Sequence, residues 1–256
     1  GIYESWGYEL VITPLIEFLD SLLVGSSHDL DLHTFKITDQ LTGRMMGIRA
    51  DITPQAARID AHRLDRDGPV RLCYADNVLH TKPRGIMTSR VPIRIGAELY
   101  GHSGVECDVE LVCLMHETLC AIGLDDIYIV LGQVGIFRAL VNEAGLATET
   151  ERLLFEALQR KAYDEIYAVL DDSIKDRKLR QMLLQLAQLS GEEEVLQEAL
   201  SIFSDAPKNV KAELRKLVEI VEGVKERIPN IALCFDLCEL RGYEYHTGIV
   251  FAAYTP

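Results

Sequence analysis

Arg241, Glu244, Tyr245 and His246 fall within six consecutive positions, RGYEYH, between the strand-like runs IALCFDL and GIVFAAY. Gly242 and Gly248 leave room there for a ligand to approach the backbone. One cation, one anion and two amphipathic rings are the groups that a site for a small zwitterion needs. An arginine of an acidic protein ordinarily makes a surface ion pair. Bracketed by glycine and β-rich runs, Arg241 is expected instead to hold a carboxylate. If this stretch is a regular strand, Arg241, Tyr243 and Tyr245 share one face and Glu244 and His246 the other, so only one of Tyr245 and His246 faces the ligand. A bulge at Gly242 would alter that.

The elements that position these residues belong to a chain of 256 residues, 48% of them hydrophobic, which is ample for one large core. The formal charge of −14 weighs against a phosphate-binding surface, and no nucleic-acid partner is expected. No apolar run approaches the ~20 residues of a membrane span. The six cysteines form no C-x-x-C pair and read as small buried hydrophobes of a reducing, cytoplasmic compartment. The seven histidines lack ligand spacing with them, so neither metal nor cofactor is expected. Gly1 opens close to an element and Pro256 stops just after a strand, so a longer native chain is expected.

Gly7–Thr13 reads as a short strand closed by Pro14. Phe35–Ile37 and Met45–Arg49 form a hairpin around DQLTG, and Asp51-Ile52-Thr53-Pro54 starts a helix carried by Gln55–Leu64. Val70–Tyr74 and Ile93–Tyr100 are strand-like and flank the loop Lys82–Met87. Ser103–Glu106 and Thr148–Glu151 have the form of capping boxes. From about 135 to 228 the β-branched runs vanish, and Leu, Ala, Glu, Lys and Gln predict four or five helices. Strands return at Ile231 and near Ile127. Helices between two β-rich segments predict a single α+β domain, residues 1–256, with a helical insertion.

Four pieces resemble, in order, the catalytic core of class II aminoacyl-tRNA synthetases, and of histidyl-tRNA synthetases in particular. GYELVITPLIE (Gly7–Glu17) is similar to motif 1, which forms the dimer interface there. IRADITPQAAR (Ile48–Arg58) is similar to the stretch carrying Arg-Pro-Glu-Gly-Thr. LCYADNVLHTKPRGIMTSRVPIRIGAELYG (Leu72–Gly101) is similar to the motif 2 hairpin, and RGYEYHTG (Arg241–Gly248) to the histidine-specific motif. The fold this implies is a mostly antiparallel sheet flanked by helices, with the helical block inserted.

Motif 2 departs from that pattern. Its Phe-Arg-x-Glu is here Leu79, His80, Thr81 and Lys82. The arginine that holds the α-phosphate of ATP is replaced by a histidine, and the acid by a cation. A core with amino-acid recognition but without the ATP grip resembles the regulatory subunits of ATP phosphoribosyltransferase. Those are synthetase paralogues that partner the short catalytic form at the first step of histidine biosynthesis. The resemblance implies a non-catalytic homodimer that binds L-histidine and assembles with that catalytic subunit. A divergent histidyl-tRNA synthetase core is the alternative.

By the same resemblance the histidine-binding residues are Asp51, Thr53, Glu98, Arg241, Gly242, Tyr245 and His246. Asp51 and Thr53 would hold the α-ammonium, or else merely cap the helix they precede. Glu98, an acid in the apolar run IGAELY, would accept from the imidazole N–H, or else answer a structural arginine. Arg94 stands where the family has a glutamine that touches the amino acid. A cation there would repel an ammonium, and no role is assigned to it.

Overall fold

The computed structural model describes residues 1–23, 28–64, 66–83, 88–240 and 246–255. They divide into two units, Gly1–Ser103 and Gly104–Pro256. The first runs α1 (Ile2–Ser5), β1 (Glu9–Leu10), β2 (Ile16–Phe18), α2 (Leu19–Leu22), α3 (His28–His33), β3 (Phe35–Thr38), β4 (Met45–Ile48), α4 (Thr53–Ile59), β5 (Val70–Asn77) and β6 (Ile93–Tyr100). The expected hairpin is β3–β4, with β2 on the far side of β4. Its turn is set by Asp39, whose carboxylate accepts from the Thr42 hydroxyl and the Leu41 N–H; both hold its pKa below the usual value.

In the other sheet of this unit β5 lies between β1, to which it is parallel, and β6, to which it is antiparallel. Leu72, Cys73 and Tyr74 of β5 are consecutive and all buried, as a central strand covered on both faces requires. Pro54 occupies the first turn of α4, as its missing N–H allows. The helix does not stay α-helical to Leu64, however. Asp60–Leu64 forms one π turn. Under α4 lies a small core of Ile52, Ala56, Tyr74 and Val78, with Val11 against it.

The second unit runs α5 (Val105–Ala121), β7 (Tyr128–Gln133), α6 (Val134–Ala144), α7 (Thr148–Gln159), α8 (Tyr163–Ser173), α9 (Arg177–Leu186), β8 (Ser190–Gly191), α10 (Glu194–Ile202), α11 (Lys208–Arg227), β9 (Ala232–Asp236) and β10 (Ile249–Tyr254). Its sheet has the order β10-β7-β9-β8, with only the β7–β9 ladder parallel. The helical stretch holds six helices, where composition suggested four or five. Lys161 adopts φ +51°, which ends α7 and restarts the chain as α8 inside a run that reads as continuous helix.

Neither expected capping box forms. The N-caps of α5 and α7 are Gly104 and Ala147, and no side chain caps either. The side-chain cap that does form is Asp176 at α9, accepting from the N–H groups of Lys178 and Leu179 at 2.8 and 3.3 Å. Among the described residues no helix is long and apolar enough to cross a membrane.

Candidate functional site

Alternation along β6 puts Arg94, Gly96, Glu98 and Tyr100 on one face. The antiparallel register sets Tyr74 of β5 opposite Gly96 and Leu72 opposite Glu98. The Tyr74 ring rests against Gly96 so closely that a Cβ there would come within 2.6 Å of its Cε2. Glycine at 96 therefore lets the tyrosine reach along the strand to the acid.

Tyr74 Oη donates to Glu98 Oε1 at 3.1 Å and lies 3.2 Å from Thr53 Oγ1. Thr53 hydrogen-bonds Glu98 as well. Burial raises the pKa of Glu98, and the charge of Asp51 adds to that; the two hydroxyls oppose it. Burial, reinforced by the charge on Glu98, lifts the Tyr74 phenol well above its ordinary range. The same two causes raise Tyr100, whose buried Oη has no partner among the described residues. The hydroxyls thus stay protonated as donors, facing an acid that is costly to ionise.

Asp51 completes the cluster. Its Oδ1 accepts from the Ile52 N–H at 2.8 Å, and its Oδ2 meets Arg94 Nη2 at 3.3 Å. Arg94 does not pair with its cross-strand neighbour Asp76, because the Arg49 guanidinium already holds that carboxylate at 2.8 Å. Its Nε is buried and has no partner among the described residues. Arg49 itself is 1% exposed and also donates to the carbonyls of Asn77 (2.9 Å) and Thr13 (2.7 Å) and to Thr13 Oγ1 (2.8 Å). It ties the strand ends around it to the segment that presents Asp51.

Three of the residues read from the sequence, Asp51, Thr53 and Glu98, therefore converge in the first unit. Helix capping does not account for two of them. The N-cap of α4 is Ile52, whose side chain has no acceptor, and the Thr53 hydroxyl is turned to Tyr74 and Glu98. Among the described residues no arginine answers Glu98 either; the hydroxyls of Thr53 and Tyr74 do. Arg241, Gly242 and Tyr245 lie outside the described residues. His246 is exposed, and its carbonyl accepts from Arg138 Nη2 at 3.2 Å. It does not lie on a strand, since β10 begins only at Ile249, so the alternation argument does not reach it. Tyr74 was not foreseen. Its signal lay in Gly96, a glycine inside an otherwise apolar strand.

At the end of β5 the His80 ring is buried, with Nε2 3.1 Å from the Ala50 carbonyl oxygen. The backbone on either side is fixed by Leu79 N–H to Arg49 O and by Arg90 Nε to His80 O. Arg90 also lies over the Phe35 ring. Lys82 is exposed. No group of three His, Cys, Asp or Glu able to hold a metal ion occurs among the described residues. A cleft of about 440 Å3 on the α4 side, between Pro14, Glu17, Gln55, Arg58 and Arg63, does not include the Glu98 cluster.

A family profile described as histidyl-tRNA synthetase matches residues 1–256. A curated ATP phosphoribosyltransferase regulatory subunit from Alkalilimnicola ehrlichii is 54% identical over 99% of this chain and 63% of its own length. A protein of the same description from Saccharophagus degradans is 51% identical over all of this chain and 65% of its own. The chain thus spans about 65% of these relatives. Among solved structures, an ATP phosphoribosyltransferase regulatory subunit/histidyl-tRNA synthetase from Bacillus halodurans superposes with a TM-score of 0.87 at 27% identity, over 99% of this chain and 65% of that one. A chain of the ATP phosphoribosyl transferase (HisG:HisZ) complex from Thermotoga maritima gives 0.72 at 16% identity, over 99% of this chain and 84% of that one, and shows the fold alone.

Proposed function

The chain belongs to the histidyl-tRNA synthetase family, and we propose that within it this protein is a non-catalytic regulatory subunit of ATP phosphoribosyltransferase. In this reading it acts in the cytoplasm at the first step of L-histidine biosynthesis and activates a separate, short catalytic subunit. It binds free histidine with Asp51 and Thr53 toward the α-ammonium and Glu98 toward the imidazole. Arg241, Gly242, Tyr245 and His246 enter on their sequence alone. Dimerisation through Gly7–Glu17 is supported by Leu10 and Ile12, 63% and 83% exposed in that segment.

The observation that carries the non-catalytic part is His80. The position aligned with the phosphate-holding arginine has a buried imidazole turned to the Ala50 carbonyl. An imidazole so engaged does not replace a bidentate, permanently charged clamp. The names of the close relatives support the same reading. Feedback then requires that histidine favour one arrangement of the assembled complex through differential affinity.

Histidine-dependent exchange of pyrophosphate into ATP separates this reading from a divergent synthetase. The full-length protein is expected to show none above background, and to raise phosphoribosyl transfer when mixed with a short catalytic subunit. Robust exchange would establish the synthetase instead.

A further inference from the structure

The arginine at 94 stands opposite an aspartate that the proposed function gives to an ammonium, and its geometry shows how both can hold. An arginine takes a carboxylate best along one edge of its fork, through two parallel N–H donors such as Nε and Nη2. Here that edge is half used. Nη2 reaches one oxygen of Asp51 at 3.3 Å, while Nε is buried without an acceptor among the described residues. A buried donor left unmet carries a penalty that an incoming acceptor removes. The other neighbouring anion, Asp76, is held by Arg49, so it does not supply that acceptor. The Asp51–Arg94 pair is also partly exposed, with side chains 27% and 37% accessible, so its own attraction is weak and readily exchanged.

We propose that an α-amino acid zwitterion inserts into the Asp51–Arg94 ion pair. Its carboxylate takes the Nε–Nη2 edge of Arg94, and its ammonium takes the Asp51 oxygen thereby released. One partner exchange satisfies the orphaned Nε, keeps both charges paired and removes the apparent repulsion between a cation at 94 and the ammonium. Arg94 is then a determinant of specificity: it selects ligands that carry a carboxylate beside the amine. This rests on the histidine-binding reading above and adds to it Arg94 as a holder of the carboxylate, a role that the sequence alone gives to Arg241.

The test compares L-histidine with histamine, the same molecule without the carboxylate, by calorimetry on the full-length protein and on Arg94→Gln. The wild type is expected to prefer histidine. In Arg94→Gln histidine should weaken about 10- to 100-fold, the range for a lost charged hydrogen bond. Histamine should bind as before or more tightly, because Asp51 no longer has a competing cation, so the preference collapses. Arg94→Lys, which retains charge but not the fork, should recover only part of it. Thermal melts check that the variants are folded. A wild-type preference preserved in Arg94→Gln overturns the insertion while leaving histidine binding intact. Absence of histidine binding to the wild type removes the underlying reading and this one with it.

Discussion

Arg49→Met is expected to destabilise the protein by about 2–4 kcal/mol, since a buried acceptor left without its donor costs about 1–3 kcal/mol. The guanidinium is 1% exposed and serves Asn77 O, Thr13 O, Thr13 Oγ1 and Asp76 at once. Methionine fills much of the volume and satisfies none of these acceptors. The buried carbonyl and hydroxyl of Thr13 and the part-buried Asn77 carbonyl lose a donor, and Asp76, whose hydrogen bond to Arg49 holds its pKa below the usual value, loses that partner. Arg49→Lys should recover only a fraction, since an ammonium cannot span a fork of acceptors in three directions. Thermal or urea unfolding of the full-length protein reads the difference. A Met variant within about 1 kcal/mol of wild type would show that water enters and satisfies the site.

Glu98→Gln is expected to separate stability from binding. Burial raises the pKa of Glu98 above its unfolded value. A group shifted in that direction contributes stability that is fully present below the unfolded pKa, and that contribution is lost as pH rises through the folded pKa. Once the pH has risen past the raised pKa, the ionised carboxylate therefore weighs against the fold. A neutral amide of the same shape still offers one oxygen to Tyr74 Oη and Thr53. The variant should melt at or above the wild-type temperature near pH 7.5, and the advantage should vanish toward pH 4. Histidine affinity should nonetheless fall about 10- to 100-fold, because the charged acceptor for the imidazole N–H is gone. A variant that melts lower at pH 7.5 yet binds histidine normally would assign Glu98 to the scaffold. Sites of this kind hold a disfavoured charge because the ligand uses it.

What could be read from the sequence was what is local. The β3–β4 hairpin follows from DQLTG between apolar runs, and the start of α4 from Pro54. Asp51 and Thr53 were legible through the resemblance of Ile48–Arg58 to the stretch carrying Arg-Pro-Glu-Gly-Thr, and Glu98 through the same resemblance and as an acid in the apolar run IGAELY. Tyr74 was not, since its role depends on a cross-strand register that brings it opposite Gly96. Capping was overestimated for a related reason. Asp51 and Thr53 have the chemistry of caps, but partners distant in sequence, Arg94, Tyr74 and Glu98, claim their side chains. The break at Lys161 escaped composition because an αL residue other than glycine leaves no signal of its own. The motif at Arg241–Tyr245 remains a sequence proposal, outside the described residues.

We propose that this protein senses histidine without activating it. Isothermal titration of L-histidine into the full-length protein, without ATP, tests it most directly. Saturable binding is expected, with an affinity unchanged when ATP and magnesium are added, and a melting temperature that rises with histidine concentration as ligand linkage requires. No heat with histidine, alone or with the catalytic subunit present, would contradict it.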